Sequence, residues 1–312
     1  MTFVATAVVP IFGLIALGFA AARWQWLSAT AGKGISEFTF LIALPALLFR
    51  TMVTSDLGQT QPTMLLGSYF TTVGVIWGVA TLAALWLQRP KLEQPAFAMT
   101  ASYGNLVLLG IPIVVSVFGH DAAPIAAVIV SVHVAALWLA ACLHLALVSL
   151  SGRQGPLQIL RAVVIEFARN PIVVAIVVGG LWRLTGLGLH DTLERGIWML
   201  AQASVPCALV AVGFSLSGFR IVGEMRALGT SAVLKNICMP MVAAVVTTQL
   251  FGMTGLGAII VTVFSAMPTG TATFLFASRT GAGIETTSAS VALSTAISMI
   301  SIPIVLLLIG GP

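Results

Sequence analysis

The sequence predicts an all-α membrane protein of ten transmembrane helices, and three observations carry that expectation. Of 312 residues, 59% are hydrophobic and 7% charged, whereas a soluble domain carries about 25% charged residues. Stretches free of Asp, Glu, Lys and Arg run over 2–22, 57–88, 94–119, 196–219 and 286–312, each reaching the ~20 residues that cross a bilayer. These stretches are continuous apolar runs and not the alternating ten-residue strands of a barrel.

Helices are expected near 3–22, 36–54, 63–88, 95–118, 122–150, 168–187, 195–217, 227–251, 254–278 and 286–309. The first has no basic stretch ahead of it, since Arg23 is the first cation, so it reads as a retained helix and not a secretory leader. The uncharged stretch 236–278 is too long for one crossing, and Gly252-Met253-Thr254-Gly255-Leu256-Gly257 within it reads as a turn between the eighth and ninth helices. Cys142, Cys207 and Cys238 are odd in number and fall inside helices, which suits packing and not a disulfide framework.

The net charge of +5 reflects membrane topology rather than nucleic-acid binding. Eleven of the fourteen cations, Arg23, Lys33, Arg89, Lys91, Arg153, Arg161, Arg169, Arg220, Arg226, Lys235 and Arg279, fall on the odd-numbered connections and adjoining helix ends. Arg50, Arg183 and Arg195 fall on the other side. Lys and Arg concentrate in cytoplasmic loops, so both termini are expected outside. A basic linker at 151–167 divides the chain into a five-helix unit over 1–150 and a second over 168–312, and two odd-numbered units in series have opposite orientation, as in inverted repeats. Pro10 and Pro171 open apolar helices, Pro45 and Pro206 lie in the helices that follow, and both pairs are 161 positions apart.

The fourth and ninth helices occupy matching places in the two units. The fourth holds Ser102-Tyr103-Gly104-Asn105 and Gly110-Ile111-Pro112; the ninth holds Met267-Pro268-Thr269-Gly270-Thr271. Pro and Gly inside a membrane helix free backbone groups, which is tolerable only where they face protein or water. A half-helix N-terminus presents unpaired N–H groups and partial positive charge, so paired breaks suit a small anion. Prolines that only kink helices for packing are the simpler alternative. Asn105, Thr269 and Thr271 are candidates to complete the hydrogen bonds.

These residues resemble the auxin efflux carrier family, which includes plant auxin exporters and bacterial proteins often named malonate transporters. The resemblance spans nearly the whole chain. It rests on Leu44-Pro45-Ala46-Leu47-Leu48-Phe49, Asn105 seven before Pro112, Asn170-Pro171, Lys235 five before Pro240, and Met267-Pro268-x-Gly270. It implies two inverted five-helix repeats forming a scaffold and a transport domain, with the broken fourth and ninth helices crossing at the substrate, a plan shared with sodium–proton antiporters and bile-acid carriers. By the same resemblance, Asn105 matches a carboxylate-binding Asn and Asn170 an Asn opening the sixth helix. The plant pattern then continues with a polar pair where this chain has Ile172 and Val173, so auxin itself does not carry over. The short linker fits the bacterial branch and an inner-membrane location, and the resemblance implies a homodimer.

Ionised groups within the membrane are costly and functional suspects. Arg50 and Lys235 qualify, although each could reach an interface by snorkelling. No acidic residue falls near either break, which disfavours a cation–proton antiporter. His133 and His144 lie eleven residues apart on the fifth helix and share a face, so His133 is a candidate proton relay. There is no metal-ligand spacing, P-loop or catalytic pair; no cofactor, metal or enzymatic activity is expected. Two alternatives to a carboxylate carrier stay open: a sodium-coupled symporter of a larger organic anion, and a membrane ligand sensor.

Overall fold

The computed structural model describes residues 2–54, 61–149, 168–218 and 224–309, together with 161, 164 and 165. The linker expected at 151–167 lies almost wholly outside the described residues, as do Asp56, Arg153, Glu166 and Arg220. In chain order the helices are α1 (Thr2–Arg23), α2 (Ala29–Thr54), α3 (Pro62–Trp86), α4 (Gln94–Ser102), α5 (Leu106–Phe118), α6 (His120–Val148), α7 (Pro171–Leu184), α8 (Asp191–Leu216), α9 (Met225–Leu250), α10 (Gly255–Ala266), α11 (Ala272–Thr280) and α12 (Ile284–Leu308). Six of them, α2, α3, α6, α8, α9 and α12, are long and apolar enough to cross a membrane by length and composition.

Local chemistry sets the ends that the apolar pattern blurred. The second helix starts at Ala29 rather than near 36, because Ser28 Oγ accepts the Ala31 N–H at 3.1 Å, a side-chain cap that satisfies an orphan donor. The helix expected near 195–217, α8, starts at Asp191, where His190 Nδ1 accepts the Thr192 N–H and Asp191 and Glu194 occupy the positive first turn. Gly252 and Gly255, both in the left-handed region (φ 61° and 69°), form the turn ahead of α10.

Three helices widen just before a proline. Thr39–Ala43 in α2, Leu106–Gly110 in α5 and Leu234–Cys238 in α9 are π turns, ending two residues ahead of Pro45, Pro112 and Pro240. In each the N–H before the proline reaches back five residues, from Leu44 to Thr39, Ile111 to Leu106 and Met239 to Leu234. Proline offers no N–H to the carbonyl four residues back and its ring crowds that carbonyl; the wider turn relieves both and rotates the preceding side chains. α9 ends in a further π turn, Val246–Leu250, for which the sequence supplies no proline.

The helices pack in two groups. α1 lies along α8, and α2 packs on both α7 and α8; α3 packs on α4, and α9 on α10 and α12, with α6 against α4 and α11 against α12. Contacts between the groups run mainly from α8 to α5 and from α2 and α7 to α6. In the first group the backbones touch: a Cβ on Gly18 would run into the Val210 carbonyl, one on Gly213 into the Ile15 carbonyl, and one on Gly179 into the Phe49 carbonyl. Small residues permit such approach where lipid supplies no hydrophobic drive between helices. Gly213→Val is expected to destabilise the protein by about 1–3 kcal/mol, the usual range for overpacking, read as a lower midpoint of thermal unfolding in detergent, whereas Gly74→Val, facing open space, leaves the midpoint unchanged.

Candidate functional site

Two chain interruptions meet inside the second group of helices. α4 stops at Ser102, after which Tyr103 is extended and Asn105 caps α5. α10 stops at Ala266, because Met267 precedes Pro268 and is held extended (ψ 142°) by the clash that proline imposes on its predecessor. The freed stretches run antiparallel. The Asn105 N–H donates to the Pro268 carbonyl at 2.7 Å, and the Gly270 N–H to the Tyr103 carbonyl at 3.1 Å, around a bridge between Gly104 and Thr269. Gly270 has no room for a side chain, since a Cβ there would lie 2.7 Å from the Tyr103 ring and 3.2 Å from the Gly104 carbonyl oxygen.

Neighbouring helices satisfy the remaining groups. The Thr269 hydroxyl donates to the Thr100 carbonyl at 2.9 Å and its N–H to Ser294 Oγ at 3.0 Å, while Ser294 donates onward to Asn236 Oδ1. His133, fully buried on α6, lies with Nε2 3.2 Å from the Gly104 carbonyl and Nδ1 3.0 Å from the Tyr69 hydroxyl. A carbonyl only accepts, so Nε2 carries the hydrogen, and neutral imidazole then accepts at Nδ1 from Tyr69. The ring also packs against Tyr103, with centroids 4.3 Å apart. Both tyrosines in the sequence therefore converge on His133.

A cavity of about 370 Å³ opens beside the crossing. Tyr103, Gly104, Asn105, Gly270 and Thr271 line it from the breaks, His133, Val134 and Trp138 from α6, Phe40 from the π turn of α2, Leu275 from α11, and Asn170 from the start of α7. Three helix N-termini face it: α5 capped by Asn105, α7 capped by Asn170, and α11 beginning after Thr271. Capping also orients the two amides. Asn105 Oδ1 accepts the Leu108 N–H at 3.3 Å, and Asn170 Oδ1 accepts the Ile172 N–H at 3.0 Å. With each oxygen committed to its own helix, the NH₂ group is the half left for a ligand, and NH₂ only donates. Donors and partial positive charge, with no acidic side chain among the described lining residues, are the chemistry that favours an anion.

Of the residues singled out from sequence, Asn105, His133, Asn170, Gly270 and Thr271 share this cavity. Met267, Pro268 and Thr269 build the joint without lining it, and Gly110, Ile111 and Pro112 are buried further along α5. Arg50 is not in the lining: it pairs with Glu194 at 2.9 Å and lies 4.4 Å over the Trp198 ring, joining α2 to α8. Lys235 is buried on α9 against the Ser265 carbonyl. His144 accepts from Trp77 Nε1 at 3.3 Å and stays apart from His133. Phe40, Tyr69 and Trp138 were missed by sequence reasoning; a lone tyrosine in the apolar α3 was the available signal for Tyr69, while Phe40 and Trp138 sit in runs with no distinguishing pattern.

A cavity at a helix crossing within an apolar bundle whose long helices can cross a membrane is the arrangement of a multi-pass membrane transporter, and comparison with known proteins agrees on that class. The chain belongs to the membrane transport protein family, the auxin efflux carrier family, whose profile matches residues 3–306. It is 25% identical over 304 residues to a Rhizobium meliloti protein named "Putative malonate transporter", covering 97% of this chain and 94% of that one. It is also 23% identical to an uncharacterized transporter of Methanothermobacter thermautotrophicus, covering 95% of each chain, and 24% identical to the uncharacterized transporter YfdV of Escherichia coli, covering 77% of each.

Tyr69→Phe removes the donor to His133 Nδ1 and leaves a buried acceptor unpaired, which costs about 1–3 kcal/mol. The expected result is a lower thermal midpoint, while Thr81→Val, which removes a hydroxyl bonded only within its own helix, changes it little.

Proposed function

We propose that this chain is a secondary transporter that moves a small organic anion, a mono- or dicarboxylate, by alternating access, with the anion bound in the cavity at the crossing. The observation that carries the reading is the convergence of two free amide NH₂ groups and three helix N-termini on one cavity of about 370 Å³. That volume accommodates a C3 dicarboxylate with its water or a larger monocarboxylate. The name of the Rhizobium meliloti relative makes malonate the first anion to test.

The same reading takes the chain as ten membrane helices in two inverted five-helix repeats, 1–150 and 168–312, joined by a cytoplasmic linker at 151–167, with both termini on the periplasmic side of a bacterial inner membrane. α4 with α5 and α10 with α11 are then the broken fourth and ninth helices. The α1, α2, α7, α8 group acts as a scaffold and the remaining helices as the moving transport domain. Two features support this division: the glycine-tight backbone contacts within the first group, and the sparser packing between the groups. The cavity spans that boundary, with Phe40 and Asn170 on the scaffold side and the crossing on the other, so relative motion of the groups changes the site's access.

Asn105→Ala and Asn170→Ala each remove one donor to an anion, a bond of about 1.5–3 kcal/mol. The expected result is a tenfold or greater loss of affinity for the transported carboxylate and a matching fall in counterflow in proteoliposomes. Arg50→Gln, which lies outside the cavity lining, leaves affinity within twofold. Unchanged binding and exchange in Asn105→Ala contradicts the assigned site.

A further inference from the structure

Lys235 is the one described cation that is fully buried, at 0% exposure, and no ion pair joins it to a carboxylate among the described residues, whose ion pairs are Arg89 with Glu93 and Glu224, Arg50 with Glu194 and Lys33 with Glu37. Its Nζ donates instead to the Ser265 carbonyl at 2.9 Å and lies 2.9 Å from Met239 Sδ. An ammonium group with no carboxylate beside it is costly at such a position, so something must return that cost.

The placement explains what. Ser265 lies in the last turn of α10, where the break at Met267-Pro268 removes the donors that would continue the helix; such carbonyls are orphaned and carry the partial negative charge of a helix C-terminus. Lys235 reaches this end because it stands in the π turn ahead of Pro240. Its neighbour Asn236 accepts from Ser294, which holds the Thr269 N–H on the other side of the same break. The π turn of α9 thus grips both sides of the interruption, one of them with a positive charge.

We propose that Lys235 is a tethered cation: its ammonium occupies the negative helix end at the crossing, and its fixed charge offsets that of the anion as the two move together. This rests on the transport reading above. The role is that of a positioning residue, since Lys235 holds the Ser265 carbonyl and lies outside the cavity lining. It requires charge at this point, not bulk.

The test uses purified full-length protein with Lys235→Met, which keeps the length and removes the charge, and Lys235→Ala, which leaves space for a small ammonium ion. Exchange of labelled malonate and labelled phenylacetate is measured in proteoliposomes with sodium or choline as the bulk cation, and thermal stability is followed alongside. Wild type is expected to exchange equally in both cations. Lys235→Met is expected to remain folded with exchange at least tenfold slower, and ethylammonium, but not tetraethylammonium, is expected to raise both the exchange rate and the thermal midpoint of Lys235→Ala. Exchange by Lys235→Met at the wild-type rate, stimulation of wild type by sodium, or failure of ethylammonium to shift Lys235→Ala overturns the proposal. If wild type exchanges neither anion, the transport reading is what fails for these probes, and stabilisation of Lys235→Ala by ethylammonium still decides whether a cation belongs at Ser265.

Discussion

The structure depends on one constraint: two helices stop short inside an apolar bundle, and every backbone group they release needs a partner in a place without water. An unsatisfied peptide group in such surroundings costs several kcal/mol, so the two ends cannot exist separately. Each supplies what the other lacks. Asn105 and Gly270 donate across the gap to Pro268 and Tyr103; His133, Ser294 and Lys235, from three further helices, take the Gly104 carbonyl, the Thr269 N–H and the Ser265 carbonyl, and the Thr269 hydroxyl takes the Thr100 carbonyl. What remains on the open side is a set of helix N-termini and amide NH₂ groups, which is why the cavity there suits an anion.

The helical class and most of the helices were legible from the apolar runs, because a membrane segment must be apolar over a fixed length whatever it packs against. The ends were less legible, since Ser28 and His190 extend α2 and α8 by capping, and capping does not register in hydropathy. The breaks were legible in kind, with one of two named stretches over-read. In the fourth segment, of the two stretches singled out, the chain opens at Tyr103–Asn105 and stays helical at Gly110-Ile111-Pro112, because a π turn absorbs Pro112 without breaking the helix. Pro268 has no such turn ahead of it and breaks the chain at Met267. Sequence shows that a proline must disturb a helix; whether the disturbance is a widening or a break is decided by the neighbours available to receive the freed groups.

The site was half legible for a related reason. Asn105 stood out as a polar residue beside a break and Asn170 through the family resemblance, and capping explains both their position and the direction of their amides. Phe40 and Trp138 reach the same cavity from helices whose patterns are uniformly apolar, and only tertiary packing distinguishes the face that lines the cavity from the face that meets lipid. The two suspect cations also separated in the fold. Arg50 acquired a carboxylate and an indole at the edge of the bundle, whereas Lys235 acquired a helix end at its centre. Equal in sequence as charges in apolar surroundings, they differ in that only one is denied any route to water.

On the proposed reading, the helix N-termini line the cavity beside the crossing while the buried Lys235 ammonium meets the helix end at Ser265. The most direct measurement of this arrangement is an experimental structure of the protein with a carboxylate bound. The carboxylate oxygens are expected within hydrogen-bonding distance of the Asn105 and Asn170 amide nitrogens, with the Asn105–Pro268 and Gly270–Tyr103 backbone bonds intact. A carboxylate seated elsewhere, or a crossing whose two strands have come apart around it, contradicts the account.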